Sequence, residues 1–373
     1  MPRHGINSPR SARYPVQVSN QSIHIVGARP NFMKAAPVVA ALRDLNAPPM
    51  LVHTGQHYDE KMSEIFFDQL KMPEPDRNLG IGSGSHAQQT AALLVALEDL
   101  LVEVEPTRVV VYGDINSTLA AAVAASKLHI PVAHVEAGLR SFDRTMPEEI
   151  NRVVTDALAD LHFVTSPEGM GHLAREGVAA DSMHFVGNPM IDTLLRFRDV
   201  LDVPAVKSPL GLDGDYGVVT LHRPANVDDE SAVKRIVEGL RRASKEIRLV
   251  APLHPRGRER LEAAGLGEVA LITEPMGYLE FMALVVGASI VLTDSGGIQE
   301  ETTVLGIPCL TLRENTERPI TITMGSNRLV GTDPDLIEKG VAEAASLASG
   351  QVPPLWDGSA GARIAQVLVD ECR

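Results

Sequence analysis

Cysteine and basic charge are both scarce in this chain, and long apolar runs are missing. The two cysteines, Cys309 and Cys372, make no disulfide framework and match no metal-ligand spacing, which fits a reducing cytoplasm. A net charge of −14 excludes general binding to nucleic acid or to an anionic membrane, because a phosphate polymer would be repelled. An anionic small molecule is still admitted, since a local cluster of Arg, Lys and His overrides the global sign. No apolar run approaches a membrane span. The first 21 residues carry Arg3, Arg10, Arg13, Pro2, Pro9 and Pro15 but no apolar h-region, and read as a disordered tail rather than a secretion signal. There is no Walker A sequence and no HExxH. The glycine-rich GIGSGSHA (80–87) does not follow a clear strand and lacks the GxGxxG spacing, so it reads as a loop leading into a helix. His53 and His57 of HTGQH have no third ligand at a sensible spacing, and no metal site is expected.

With 373 residues, 44% hydrophobic and 22% charged, the chain reads as a globular protein of two domains. Short β-branched runs alternate with longer amphipathic segments from residue 22 onward. Strands are predicted at 22–28, 49–54, 107–113, 131–136 and 183–187, and in a second series at 216–221, 247–253, 269–273, 289–293 and 308–312. Helices are predicted between them, for example over 87–104 and 148–160. This alternation means βαβ units and parallel sheets. A stretch rich in Pro, Gly and Asp near 200–214 reads as a linker. The expected α/β architecture has two doubly wound, Rossmann-like parallel-sheet domains, 22–200 and 201–350, facing a cleft. A terminal helix within 351–373 is expected to pack back on the first domain.

In a parallel sheet all carboxyl ends point one way, so the residues just after each strand converge. In the first series these are Arg29, Asp114 and Glu136, with Glu148 opening the helix after the PEE turn. In the second they are His222, His254, Glu274 and Asp294. The segment HVEAGLRSFDRTMPEEINR (134–152) sets a run of carboxylates and arginines directly after a buried-type strand. Ionised groups at a sheet edge must be solvated or paired, so such a run suits a ligand crevice. Three features suit a nucleotide diphosphate. TDSGGIQEE (293–301) passes from a strand end through Ser295, Gly296 and Gly297 into a helix, where free amides and the helix dipole favour phosphate. GARPNFMK (27–34) adds Arg29 and Lys34 around a similar turn, and LHRPAN (221–226) adds His222 and Arg223. A carboxylate further along the SGG helix could accept the hydroxyls of a ribose. Of the pair there, Glu300 reads as a surface helix glutamate.

These residues closely resemble the UDP-N-acetylglucosamine 2-epimerase family, over roughly residues 22–345. The resemblance is carried by GARPNFMKAAPV, TGQHYDEKMS, VYGDINSTLA, HVEAGLRSFDRTMPEEINR, VGNPMIDTL, TLHRPANVD, PLHP, TDSGGIQEE and NTERP, in that order. It implies two Rossmann-like domains arranged as in GT-B glycosyltransferases. It implies that Arg29, Lys34, His222, Ser295, Gly296 and Gly297 hold a diphosphate, and that Glu301 holds the ribose. Asp114, Glu136 and Glu148 would surround the sugar as catalytic carboxylates, His222 would count with them among the catalytic residues, and Arg152 and Arg318 would orient them or the substrate. The implied reaction interconverts UDP-GlcNAc and UDP-ManNAc through anti elimination of UDP to 2-acetamidoglucal and re-addition. It would need no cofactor and would supply surface polysaccharide from a cytoplasmic homodimer, with no nucleic acid or membrane partner. The chain departs from the best-known bacterial pattern at Asn31, where many members have Glu. HRPAN stands in place of HRREN, and Tyr58 where effector-regulated members carry arginine. These departures leave room for a hydrolysing variant or a relative acting on UDP-2,3-diacetamido-glucuronic acid. A glycosyltransferase would share the SGG helix and the ribose glutamate but would have no use for Asp114, Glu136 and Glu148 opposite them. A UDP-sugar sensor would bind without turnover.

Overall fold

The structure is a computed structural model that describes residues 21–55, 70–253, 255–344 and 350–371, without the side chains of Arg29, Pro255 and Arg256. The tail expected over 1–21 lies outside the described residues except for Gln21, as do His57, Tyr58 and His254.

Two all-parallel sheets form the framework. The first holds β1 (Ser22–Val26), β2 (Met50–His53), β3 (Arg77–Asn78), β4 (Arg108–Tyr112), β5 (Val132–Ala137), β6 (Leu161–Val164) and β7 (Met183–Phe185). Their order is β3-β2-β1-β4-β5-β6-β7. The second holds β8 (Tyr216–Thr220), β9 (Arg248–Pro252), β10 (Ala270–Thr273), β11 (Ile290–Thr293), β12 (Cys309–Thr311) and β13 (Asn327–Leu329), in the order β10-β9-β8-β11-β12-β13. Strands such as RVVVY in β4 are buried along their whole length, as expected where helices cover both faces. In each sheet the strand order reverses once, between β1 and β4 and between β8 and β11. Those are the topological switch points, where the carboxyl ends open a crevice.

The helices around the first sheet are α1 (Arg29–Asp44), α2 (His86–Val104), α3 (Asn116–Lys127), α4 (Pro147–Leu158), α5 (Pro167–Arg175) and α6 (Pro189–Phe197). Around the second lie α7 (Val203–Lys207), α8 (Pro224–Val227), α9 (Glu230–Ala243), α10 (Pro255–Ala263), α11 (Tyr278–Val286), α12 (Gly296–Leu305), α13 (Ile320–Thr323) and α14 (Pro334–Ala342). The glycine-rich loop before α2 ends in a capping box, in which Ser85 accepts from the Gln88 amide and the Gln88 side chain accepts from the Ser85 amide. The segment read as a linker is not structureless, because it contains α7, capped by Asp202.

A last helix, α15 (Ala360–Asp370), returns to lie against α1. Gly361 sits so close that an added Cβ would be 2.7 Å from the Pro37 carbonyl carbon. Asp192 of α6 accepts from the amides of Ala360 and Gly361 at 3.1 and 2.7 Å, which caps α15 from a helix of the first sheet. Ile364, Ala365 and Leu368 share one core cluster with Val38 and Leu42 of α1.

Candidate active site

The first switch point supplies one wall of the site. Asn31 spans it, accepting from the Gly27 amide at 3.2 Å and donating to the Tyr112 carbonyl at 2.9 Å. The amide that departs from the family pattern at this position therefore fastens the start of α1 to the ends of β1 and β4. Fixing α1 places Lys34, buried, in an ion pair with Glu136. Gly113, with φ +63°, leaves the room this requires, since a Cβ there would meet Lys34 Nζ at 2.9 Å.

Glu136 occupies a break in the β5–β6 register, between Val135 and Ala137. Its φ of +76° lies in the left-handed region, which for a non-glycine residue costs about 1–3 kcal/mol. A bulge re-aims the side chain at that point, here into the crevice. One carboxylate oxygen faces Lys34, and the other accepts from Arg318 Nη2 at 2.9 Å.

Asp114, in the turn that follows β4, pairs with Arg152 Nη1. Burial pushes its carboxyl up, but Arg152, Lys34 and Arg318 outweigh it and hold the group below the usual carboxylate range. The two glutamates of the PEE turn differ sharply. Glu149 is fully engaged, accepting from Ser141 N at 2.9 Å, Ser141 Oγ at 3.0 Å, Phe142 N at 2.9 Å and Arg152 Nη2 at 2.6 Å. Glu148 is half-buried, and no hydrogen bond or ion pair to it is found among the described residues.

The second switch point supplies the opposite wall. His222 follows β8, half exposed, with Nδ1 2.8 Å from Asp294 Oδ1. Asp294 is buried and also accepts from the amides of His222 and Arg223 and from Asn226 Nδ2. Burial works against its charge, but the His222 ring and these amides keep it below the ordinary range. Ser295 stands at the N-cap of α12 without making a side-chain cap bond. Its hydroxyl therefore does not close off the amides of the first turn.

Arg318 joins the walls. Besides Glu136, it pairs with Glu317 and lies 2.9 Å from Glu300, an approach misaligned for a hydrogen bond. Glu317 also accepts from Arg313 Nη2 at 2.7 Å and Arg223 Nη2 at 3.3 Å. Burial alone would neutralise Glu317, but Arg318, Arg313 and Arg223 hold it well below its ordinary value. Gly296 is the counterpart of this packing: a Cβ there would fall 2.2 Å from Arg318 Nη1 and 2.7 Å from Glu317 Oε1. Beyond it, burial raises Glu301 to about 8, and Tyr278 Oη donates to it at 3.0 Å.

The structure thus brings Lys34, Asp114, Glu136, Arg152 and Arg318 into one charged cluster, with His222, Ser295, Gly296, Gly297 and Glu301 on the facing wall. The Arg29 side chain lies outside the described set. Two expectations are corrected. Glu300 is not a surface glutamate but a buried one, raised to about 7 chiefly by burial. Glu274 does not converge on the site: it follows the edge strand β10, is 80% exposed, and pairs with Arg258 at 2.6 Å. Glu149 and Glu317 escaped the sequence reading as site residues, whereas Asp294, read there as a strand-end residue, proves to be the buried partner of His222. The signal for Glu317 was adjacency, since it directly precedes Arg318 in NTERP.

Comparison with known proteins is consistent with this geometry. Residues 41–369 match the family model described as UDP-N-acetylglucosamine 2-epimerase. A UDP-N-acetylglucosamine 2-epimerase of Methanocaldococcus jannaschii is 42% identical, over 92% of this chain and 97% of its own. A UDP-2,3-diacetamido-2,3-dideoxy-D-glucuronate 2-epimerase of Pseudomonas aeruginosa is also 42% identical, over 92% and 98%. The crystal structure of the M. jannaschii UDP-GlcNAc 2-epimerase in complex with UDP-GlcNAc and UDP superposes with a TM-score of 0.87 at 41% identity, covering 94% of this chain and 99% of that one. The two sheets accordingly have the GT-B-like arrangement. With the match spanning every strand after β1, the chain is an isomerase that belongs to the UDP-N-acetylglucosamine 2-epimerase family.

Proposed function

We propose that the protein interconverts UDP-GlcNAc and UDP-ManNAc by eliminating and re-adding UDP, without hydrolysis. The observation that carries this reading is the juxtaposition of Asp114 and Glu136 with Lys34, Arg152 and Arg318, opposite the uncapped end of α12. Departure of UDP from C1 leaves negative charge on the diphosphate, which Arg29, His222, Ser295 and the amides of Gly296 and Gly297 are suited to hold. Glu301 takes the ribose hydroxyls. The cationic character developing at C1 is stabilised by carboxylates held ionised, and Asp114 is such a group. Proton transfer at C2 needs a carboxyl not already spent on partners, and Glu148 meets that condition. Arg152 and Arg318 then act by orienting Asp114 and Glu136.

The P. aeruginosa relative, as similar in sequence as the M. jannaschii one, supports a second reading in which the sugar is a 2,3-diacetamido uronic acid. Incubation with each nucleotide sugar in deuterated water, followed by NMR, separates the two. Deuterium at C2 of UDP-ManNAc is the expected result. Exchange with the diacetamido sugar alone selects the second reading, and free ManNAc with UDP selects hydrolysis.

We further place domain boundaries near residues 22, 201 and 351, and assign the enzyme to the cytoplasm as a homodimer supplying surface polysaccharide. The exposed Val95 and Val102 of α2 support a second copy as their cover. A monomeric mass by light scattering would remove that assignment.

A further inference from the structure

Behind Asp114 and Glu136 lies a second network that touches neither carboxylate. His134 of β5 is fully buried, and its ring bridges two places. Nδ1 is 2.6 Å from Asp156 Oδ1, and Nε2 is 2.7 Å from the Gly113 carbonyl. Asp156, on α4, uses its other oxygen to accept from the Gly138 amide at 3.0 Å and from Arg140 Nη1 at 2.7 Å. Arg140 ends the series in a fork to Glu176, with bonds of 2.9 and 2.6 Å. His172 Nδ1 lies 2.9 Å from the Gly138 carbonyl, so the Gly138 peptide is held on both sides.

The endpoints are what matter. Gly113 immediately precedes Asp114, and Gly138 is two residues beyond Glu136. Asp156 also sits two turns along α4 from Glu148, so the same side chain ties that helix to the strand end. We infer that His134 and Asp156 are positioning residues for the reaction, a buried imidazolium–aspartate pair that sets the spacing of the Asp114 and Glu136 turns and holds Glu136 in its left-handed conformation. The inference rests on the reading of Asp114 and Glu136 as catalytic carboxylates.

The protonation state follows from the partners. The Gly113 carbonyl can only accept, so Nε2 carries a proton. A carboxylate at Asp156 can also only accept, so Nδ1 carries one too. Burial opposes charge on Asp156, yet His134 and Arg140 keep it below the ordinary range. With an imidazolium, charges along His134, Asp156, Arg140 and Glu176 alternate and cancel, a requirement for so dry a place. Neutral hydrogen bonds would serve packing equally well; the rigid tie between two turns is what a misplacement-sensitive reaction gains from it.

Asp156→Asn and His134→Gln test the inference. Each is expected to lower kcat with UDP-GlcNAc on the order of a hundredfold, the effect of shifting reacting groups by about an ångström. KM and UDP affinity, which depend on the other wall, should stay within about twofold. A kcat within about threefold of wild type, or a loss of UDP affinity equal to the loss in kcat, would overturn the inference. Nitrogen-15 NMR of His134 in the unmutated protein gives a readout independent of variant folding: both ring nitrogens should be protonated, and one bare nitrogen overturns the pair as stated. Asp114→Asn separates the two levels. If it retains full turnover, the catalytic reading itself fails; if it is inactive while Asp156→Asn is fully active, only the positioning role fails.

Discussion

Glu136 of the first sheet and Arg318, in the loop that follows β12 of the second, meet at 2.9 Å, a buried ion pair that crosses the cleft between the two switch points. Arg318 also carries the charges of Glu300 and Glu317, which together with Glu136 overcome the desolvation that would otherwise discharge it. One side chain thereby links the wall suited to the sugar with the wall suited to the diphosphate.

Removing that side chain should be severe in two separate ways. Arg318→Met leaves three buried carboxylates without their shared cation, and breaking such a group costs about 3–5 kcal/mol. Urea denaturation should report a loss of that size. Turnover should fall further than stability explains, by on the order of a hundredfold or more, in assays kept below the new melting point.

The neighbouring glutamates of the PEE turn should separate function from stability. Glu148→Gln removes a carboxylate with no partners among the described residues, so the melting temperature should barely move while C2 deuterium exchange collapses. Glu149→Gln replaces an acceptor of three Ser141 and Phe142 bonds and of Arg152. It should destabilise the fold by about 2–3 kcal/mol. Calorimetry and exchange NMR on both variants check the contrast, and equal melting losses would refute it.

UDP binding should depend on pH through Glu301. Its carboxyl titrates at about 8, raised by burial, so it is largely protonated at neutral pH. Accepting both ribose hydroxyls requires the carboxylate, so binding should release a proton and affinity should rise as pH climbs through 8. Titration calorimetry in buffers of different ionisation enthalpy measures that proton, and Glu301→Gln should abolish it. The same shift has a stability consequence of fixed sign. The folded state holds a proton that the unfolded chain gives up near the ordinary glutamate value, so this contribution is fully present below about 4.5 and is lost as pH rises through about 8.

Gly296→Ala should act through Arg318 rather than through the helix. An alanine is a better helix former than glycine, but its Cβ would overlap Arg318 Nη1 and Glu317 Oε1. Displacing that pair should cost about 1–3 kcal/mol and lower kcat/KM more than tenfold. Added to a chain that already carries Arg318→Ala, Gly296→Ala should bring little further loss of activity, since its effect runs through that side chain.

Strand runs were legible where they were long and buried on both faces, as in RVVVY and YGVVT. Three strands were not. β3 and β13 are edge strands of two and three residues, too short for any periodicity. The four-residue β6 carries a buried histidine and follows the end of α4 after only two residues. Residues at strand ends were readable because charge directly after an apolar run is conspicuous. Glu300 was not, because nothing in a sequence distinguishes a solvated helix glutamate from one buried beside an arginine that arrives from elsewhere in the chain. Glu148 and Glu149 show the same limit: both open one helix, and only the fold of the 138–146 loop decides which is consumed by backbone amides.

The return of α15 to α1 has a consequence during synthesis. The groove beside Val38 and Leu42 is filled by Ile364, Ala365 and Leu368, which leave the ribosome after the whole second sheet has been made. The nascent first half therefore waits with an oily seam open, and its final consolidation is timed by translation rather than by its own local folding.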